Sequence, residues 1–283
     1  MPEARVNRIL APSFLDGPGS RMTFFLQGCN LRCLHCHNPE TWQTCTACAQ
    51  CLPACAAGAL GLDHGRIRHD PGRCLECDRC LEACPSHASP RCRVLDLDQA
   101  MAAARAWAPY LDGITFSGGE CTLQWEFLLA IIPRLQSELG LTVLLDTNGE
   151  MAPAVLEGLL GVADGFLFDV KTLDPAAHLA LTGVANAGIL ANLRRAAAAR
   201  KVVEVRTVLI PGLTDDPALV LAVARLVADL GPAVSLRLTP FRPQGVRGVL
   251  AEVPELSPER FEALCAPARV LLGPRLLGHR SAG

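Results

Sequence analysis

The sequence predicts an α/β fold, a partial (β/α)6 barrel of the TIM type interrupted by a small cysteine-rich insert. Three observations lead there. Short β-branched and aromatic runs alternate with alanine- and leucine-rich amphipathic stretches over residues 95–283. Several of these runs end in glycines and polar residues, as strands do when their loops converge on one rim of a parallel barrel. Between residues 42 and 94 the alternation stops and cysteines recur every few residues. The chain therefore divides into a barrel, residues 1–41 and 95–283, and an insert, residues 42–94.

The first strand is expected from Arg21, in R-M-T-F-F-L-Q-G, just after the D-G-P-G turn at residues 16–19. Further strands are expected near residues 113–117, 142–147, 165–171, 202–209 and 234–240, with helices between them. The clearest helix covers residues 216–230, where Leu219, Val223, Leu226 and Leu230 recur at helical spacing and Asp215 or Asp216 stands ready as a cap. Six βα units fall short of the eight in a closed barrel, so an open barrel fits. The expected strands lead into Cys29, Ser117-Gly118-Gly119-Glu120, Asp146-Thr147-Asn148-Gly149, Asp169-Val170-Lys171 and Phe241-Arg242. These segments would meet at the C-terminal rim, where barrel active sites form.

Composition removes several classes of function. A formal charge of -2 with scattered arginines offers no general attraction to nucleic acid. The richest apolar stretch, residues 213–234, is broken by Asp215, Asp216, Arg225 and Asp229, so no run reaches the ~20 residues of a membrane helix. The N-terminal residues do not follow an export pattern, and a cytoplasmic location is expected. There, fourteen cysteines would stay reduced, which makes metal binding the leading explanation for them.

Eleven of the cysteines fall into patterns. T-C-T-A-C-A-Q-C-L-P-A-C at residues 44–55 is repeated as R-C-L-E-C-D-R-C-L-E-A-C at residues 73–84, an internal duplication. The C-x2-C-x2-C-x3-C spacing is that of bacterial two-cluster ferredoxins, in which the fourth cysteine of each run serves the other cluster. One [4Fe-4S] cluster is then expected on Cys45, Cys48, Cys51 and Cys84, and a second on Cys74, Cys77, Cys80 and Cys55. Zinc, which also takes C-x2-C pairs, is the competing reading. Ala56 stands where proline usually follows such a run, as Pro85 does after the second. Cys29, Cys33 and Cys36 form a separate C-x3-C-x2-C. A [4Fe-4S] cluster normally takes four cysteines, so three would leave one iron open to a substrate.

With these motifs the sequence resembles the radical S-adenosylmethionine (SAM) superfamily. D-G-P-G-S-R at residues 16–21, C-H-N-P-E at 36–40, S-G-G-E at 117–120, D-T-N-G at 146–149, D-V-K at 169–171 and I-P-G-L-T-D at 210–215 narrow the resemblance to glycyl radical enzyme activases. An inserted pair of ferredoxin-like clusters is typical of one large subgroup of them. The resemblance implies three [4Fe-4S] clusters and an oxygen-sensitive enzyme. It implies reductive cleavage of SAM to methionine and a 5'-deoxyadenosyl radical, which takes hydrogen from a glycine of a partner glycyl radical enzyme. A flavodoxin or ferredoxin would donate the electron.

The resemblance also implies roles at the rim. The SAM cluster would sit on Cys29, Cys33 and Cys36, with its open iron chelated by SAM. Gly118 and Gly119 would let backbone approach SAM, Glu120 would take its ammonium group, and Lys171 its carboxylate. Lys171 is one of two lysines, the other being Lys201. Asp169 would hold Lys171 or a monovalent cation, which Asp146 and Thr147 would join. The alternatives are a strand-end lysine in solvent for Lys171 and a plain turn for Asp146 and Thr147. His35 stands where an aromatic residue often meets adenine, and Arg206 where an arginine contacts SAM, an ion pair lining the barrel being the other reading of Arg206. Asp16 would lie beside the substrate glycine, or serve only as a tight turn. Arg242 departs from the usual histidine and Cys121 from the usual proline. Cys92, Cys121 and Cys265 receive no function. The rival activities are another radical SAM reaction, on a small molecule or by methylthiolation, and, from a different class, a ferredoxin-like electron carrier.

Overall fold

In the computed structural model, residues 2–278 are described, and they form two compact units. The first holds the chain up to Asn30 together with Asn38–Leu141, and the second holds Leu31–His37 and the chain from Thr142 on. The sequence boundaries at residues 42 and 94 fall inside the first unit, and Met1 and residues 279–283 lie outside the description.

The first unit contains β1 (Glu3–Ser13), β2 (Arg21–Leu26), β3 (Leu60–Asp63), β4 (Arg66–His69), α1 (Arg79–Glu82), β5 (Arg93–Asp96), α2 (Leu97–Trp107), β6 (Gly113–Gly118) and α3 (Trp125–Leu139). Its main strands lie in the order β6-β2-β1-β5. β2 and β6 are parallel with Phe24 opposite Phe116, whereas β1 runs antiparallel to both β2 and β5. The core forms on the faces this register aligns. Phe24 stacks on Phe116 with centroids 5.3 Å apart, and Phe127 of α3 meets Phe116 edge-on at 6.4 Å. All three rings are buried, each worth about 1.5–3 kcal/mol. α2 starts at a capping box, in which Asp96 accepts from the Gln99 amide and Gln99 reaches back. Within residues 42–92, β3 and β4 make a short hairpin, and the buried positions are Cys51, Ala59, Leu81, Ala88, Ser89 and Pro90.

The second unit contains β7 (Thr142–Thr147), α4 (Pro153–Val162), β8 (Gly165–Asp169), α5 (Pro175–Thr182), α6 (Ala187–Ala198), β9 (Val202–Leu209), α7 (Pro217–Leu230), β10 (Ser235–Pro240), α8 (Pro258–Leu272) and β11 (Leu276–Gly278). The strands run in the order β7-β8-β9-β10-β11, all parallel. Asp169 lies opposite Arg206, which lies opposite Arg237, so three charged residues line up across adjacent strands. Leu181, Ile210, Phe241, Val246 and Leu250 form a buried cluster. The chain is thus α/β with mostly parallel strands.

Two expectations are corrected. The strand predicted over residues 165–171 ends at Asp169, leaving Lys171 in the following loop. The helix predicted over residues 216–230 is present as α7, capped by Asp216, one of the two caps expected, which accepts from the Ala218 amide at 3.0 Å, but its apolar face differs. Its buried face is Val220, Val223, Ala224 and Val227, whereas Leu219, Leu226 and Leu230 are only half-buried. Nearly every position of that helix is apolar, so periodicity left its orientation open. The structure adds β1, β3, β4, β5 and β11 to the predicted strands. Among the described residues no single helix is long and apolar enough to cross a membrane.

Candidate functional site

Asp16 sits in the loop between β1 and β2, half-buried. Its Oδ2 accepts from Ser13 Oγ at 2.6 Å and Thr23 Oγ1 at 2.9 Å, and its carbonyl accepts from Thr115 Oγ1 at 2.6 Å. Thr115 in turn accepts from Arg21 Nε at 2.7 Å. Arg21 is 1% exposed and also donates to the carbonyls of Ile114 and Pro18. The D-G-P-G loop is therefore fastened from both ends. Arg21 went unassigned in the sequence because a single arginine in an apolar strand gives no sign of what it anchors.

β2 leads directly to Cys29. Gly28 donates to the Thr41 carbonyl at 2.7 Å and Cys29 to the Trp42 carbonyl at 3.2 Å. Buried Gln27 donates through Nε2 to the carbonyls of Glu40 and Gln43 at 2.7 and 2.6 Å. Gly118 and Gly119 close against the same segment. A Cβ on Gly118 would overlap the backbone of Leu26, and one on Gly119 the carbonyl of Gly28. The backbone these glycines approach is thus that of β2 and its following loop, a packing requirement the sequence does not display. Glu120 is fully buried and caps the short turn after it, its Oε1 accepting from the Thr122 amide at 3.0 Å and hydroxyl at 2.7 Å.

In the second unit, the segment carrying Cys33, His35 and Cys36 docks on the end of α5, with Arg32 donating to Thr182 and Leu34 to Leu181, both at 2.9 Å. Burial pushes the Cys33 thiol up to about 11, against the nearby Lys171 cation, which lowers it. Lys171 is largely covered, 13% exposed by side chain, and donates to Asp169 Oδ2 at 2.6 Å. Burial pulls its pKa down, but Asp169 and then Cys33 outweigh that, and the net shift is upward. Lys171 is not a solvent-facing lysine. Lys201, by contrast, donates to the Ala163 carbonyl at 2.8 Å, which gives it a structural place.

His35 is 5% exposed, and its Nδ1 is buried without a partner in the protein. Burial first, then Lys171, holds its pKa well below 6.5, so the ring is neutral. His37 Nε2 donates to the Arg242 carbonyl at 2.8 Å. Position 242 thus contributes its backbone to His37, which any side chain there allows.

Arg206 is held as an ion pair. Its Nε donates to Glu204 at 2.6 Å and its Nη1 to Asp146 at 3.1 Å. Glu204, 2% exposed, also accepts two bonds from Arg237 at 2.7 and 3.1 Å. Burial disfavours the Arg206 charge, yet Asp146 and Glu204 outweigh it and raise its pKa. Glu204 was missed because its partners come from two strands that only the fold aligns. Thr147 Oγ1 accepts from the Gly149 amide at 3.0 Å, which closes a strand-end turn.

The two cysteine runs share one backbone. Ala47 and Glu76, and likewise Ala49 and Asp78, adopt positive φ at equivalent positions of the repeat, a conformation that costs energy for residues other than glycine. Ala47 donates to Cys45 Sγ at 3.4 Å and Glu76 to Cys74 Sγ at 3.5 Å. Cys55, Cys74, Cys77 and Cys80 line one cavity of about 140 Å³. Cys51 is pushed up to about 11 by burial and then by Cys45, with Cys80 and Cys84 contributing. Among the described residues no group of three or more His, Cys, Asp or Glu side chains converges on a single ion. For iron-sulfur clusters the residues fit: the amide-to-sulfur bonds repeat in both runs, four thiols surround one cavity, and Lys171 offsets thiolate charge at Cys33 and Cys36. For SAM, the orphaned Nδ1 of His35 offers an unused polar atom. Of the three other cysteines, Cys121 and Cys265 are fully buried, and Cys92 donates to Gln27 Oε1 at 3.0 Å.

Comparison with known proteins gives the class, a radical SAM protein. The family model for the radical SAM superfamily matches residues 23–222. The chain is 34% identical to the isethionate sulfite-lyase activating enzyme of Nitratidesulfovibrio vulgaris, over 82% of each chain. It is 32% identical to the benzylsuccinate synthase activating enzyme of Thauera aromatica, over 79% of this chain and 73% of that one. In fold it resembles a radical SAM methyltransferase from Sphaerobacter thermophilus, with a TM-score of 0.60 at 17% identity, over 100% of this chain and 78% of that one. The chain belongs to the radical SAM superfamily and, within it, to the glycyl radical enzyme activating enzymes.

Proposed function

We propose that this chain activates a glycyl radical enzyme, in a partial (β/α)6 barrel carrying a ferredoxin-like insert over residues 42–94. When bound, the SAM cluster would supply the electron for reductive cleavage of SAM to methionine and a 5'-deoxyadenosyl radical, the species that takes hydrogen from the partner's glycine. Cys29, Cys33 and Cys36 hold that cluster and leave one iron open. Lys171, kept charged by Asp169, binds the SAM carboxylate; Glu120 takes the ammonium group, and His35, neutral and buried, faces the adenine. Gly118 and Gly119 bring the backbone before Glu120 hard against the β2 end and so fix its carboxylate. Arg206, paired with Asp146 and Glu204, presents a fixed cation to SAM. Asp146, Thr147 and Asp169 are the ligands for any monovalent cation. Asp16, clamped through Thr115 and Arg21, positions the loop beside the partner glycine.

Cys45, Cys48, Cys51 and Cys84 hold one further [4Fe-4S] cluster, and Cys74, Cys77, Cys80 and Cys55 the other. They would relay electrons from a flavodoxin or ferredoxin. Thiols and clusters of this kind suit a reducing, anaerobic cytoplasm. The differing partners named for the relatives leave the identity of this chain's partner to its own specificity. The observation that carries the proposal is Lys171: a largely covered lysine, ion-paired and in the field of two thiols of a C-x3-C-x2-C motif.

The test is chromatographic. Reduced, iron-loaded protein given SAM yields 5'-deoxyadenosine and methionine in equal amounts. Absence of both would remove any radical SAM activity, and an electron carrier would give neither.

A further inference from the structure

The cavity lined by Cys55, Cys74, Cys77 and Cys80 also has four polar or charged side chains on its wall that no ligand assignment uses, His69, Asp78, Arg79 and Arg91. His69 ends β4, and its Nε2 is buried with no hydrogen-bond partner in the protein. A buried ring nitrogen left so is costly, and the acceptors on offer are the sulfurs of whatever fills the cavity. The ring is neutral, its pKa lowered by burial and then by Arg91, so it carries a single N–H to give. Arg91 donates to Asp78 Oδ1 at 2.6 Å. The pair does not cancel locally, because the Asp78 side chain is 57% exposed and that of Arg91 only 21%. Water screens the carboxylate more than the guanidinium. The Arg91 charge also acts on Cys80 and Cys74.

Resting on the assignment of these four cysteines to a [4Fe-4S] cluster, we infer that His69 and Arg91 raise the reduction potential of that cluster. The reduced cluster carries one more negative charge than the oxidised one. A hydrogen bond to its sulfurs and a partly buried cation beside it therefore stabilise the reduced form more, the means by which a protein shell tunes such clusters. In the step concerned, one electron leaves an external ferredoxin-class donor, which is oxidised, and reduces this cluster. No bond is made or broken and no proton moves. A raised potential makes this cluster easier for that donor to reduce.

The experiment is a redox titration of the full chain, reconstituted with iron and sulfide and followed by electron paramagnetic resonance without SAM. His69→Leu and Arg91→Gln each lower the midpoint of one cluster. At fixed potential its reduced-to-oxidised ratio then falls about tenfold, which is ~59 mV for a one-electron couple. His69→Gln, which keeps an N–H donor, and Arg91→Lys, which keeps the charge, stay near the wild-type midpoint. Unchanged midpoints in both disruptive variants, with iron content intact, overturn the inference. So does loss of that cluster's iron from them, which would make the two residues holders rather than tuners. If His69→Leu does not fold, the Arg91 pair carries the test alone. Failure of the underlying assignment looks different: wild-type protein would then bind too little iron for the cluster, or zinc in its place.

Discussion

At the scale of single residues, the account depends on thiols and one lysine. Cys33→Ser removes one of three ligands, and the variant is expected to lose about four irons and all SAM cleavage while keeping the iron of the insert, as measured by iron assay and product chromatography. Lys171→Met leaves Asp169 without its cation and SAM without a carboxylate partner. SAM affinity is expected to fall at least tenfold, ~1.4 kcal/mol, read by calorimetry. The pH dependence has a fixed sign. Because the folded Lys171 pKa is raised above 10.5, its ion pair is fully formed below that value and is lost only as pH climbs through the higher folded one. SAM binding should therefore owe nothing to Lys171 titration across the neutral range. Residues of this kind were legible because cysteine spacing and a rare lysine stand out in sequence. Arg21 and Glu204 were not, since each matters only through partners that the fold supplies.

At the scale of elements, the six βα strands were readable because short β-branched runs end in turn residues. The strand β1 was not, since Arg5, Asn7 and Arg8 among its apolar residues read as a mixed terminus. The hairpin of β3 and β4 was hidden in a stretch where cysteine spacing dominated. The glycines of S-G-G-E show how an element can explain a motif otherwise credited to a ligand. Gly118 has φ +118 and no room for a Cβ against Leu26. Gly118→Ala is expected to cost at least about 3 kcal/mol, seen as a lowered unfolding temperature of the iron-free protein as well as the loaded one. Asp216→Ala, which only removes the cap of α7, should cost about 1 kcal/mol and leave SAM cleavage intact.

At the scale of the molecule, residues 42–92 and the parallel strands differ in what holds them together. Buried positions in residues 42–92 are few and mostly small, whereas the parallel strands enclose buried aromatic and aliphatic layers. With the eight cysteines as cluster ligands, most of the insert's stability comes from metal. Chelation of iron should therefore open residues 42–92 to limited proteolysis before the segment from Thr142 onward is cut, a difference visible in the fragment masses. The central claim, that the radical made here is passed to a protein glycine, is tested most directly by electron paramagnetic resonance. The reduced protein, mixed anaerobically with SAM and a glycyl radical enzyme encoded in the same genome, should give the doublet of a glycyl radical on the partner. That doublet should be absent with the Cys33→Ser variant. Ample 5'-deoxyadenosine with no doublet on any such enzyme from that genome would contradict the claim and move the substrate to a small molecule.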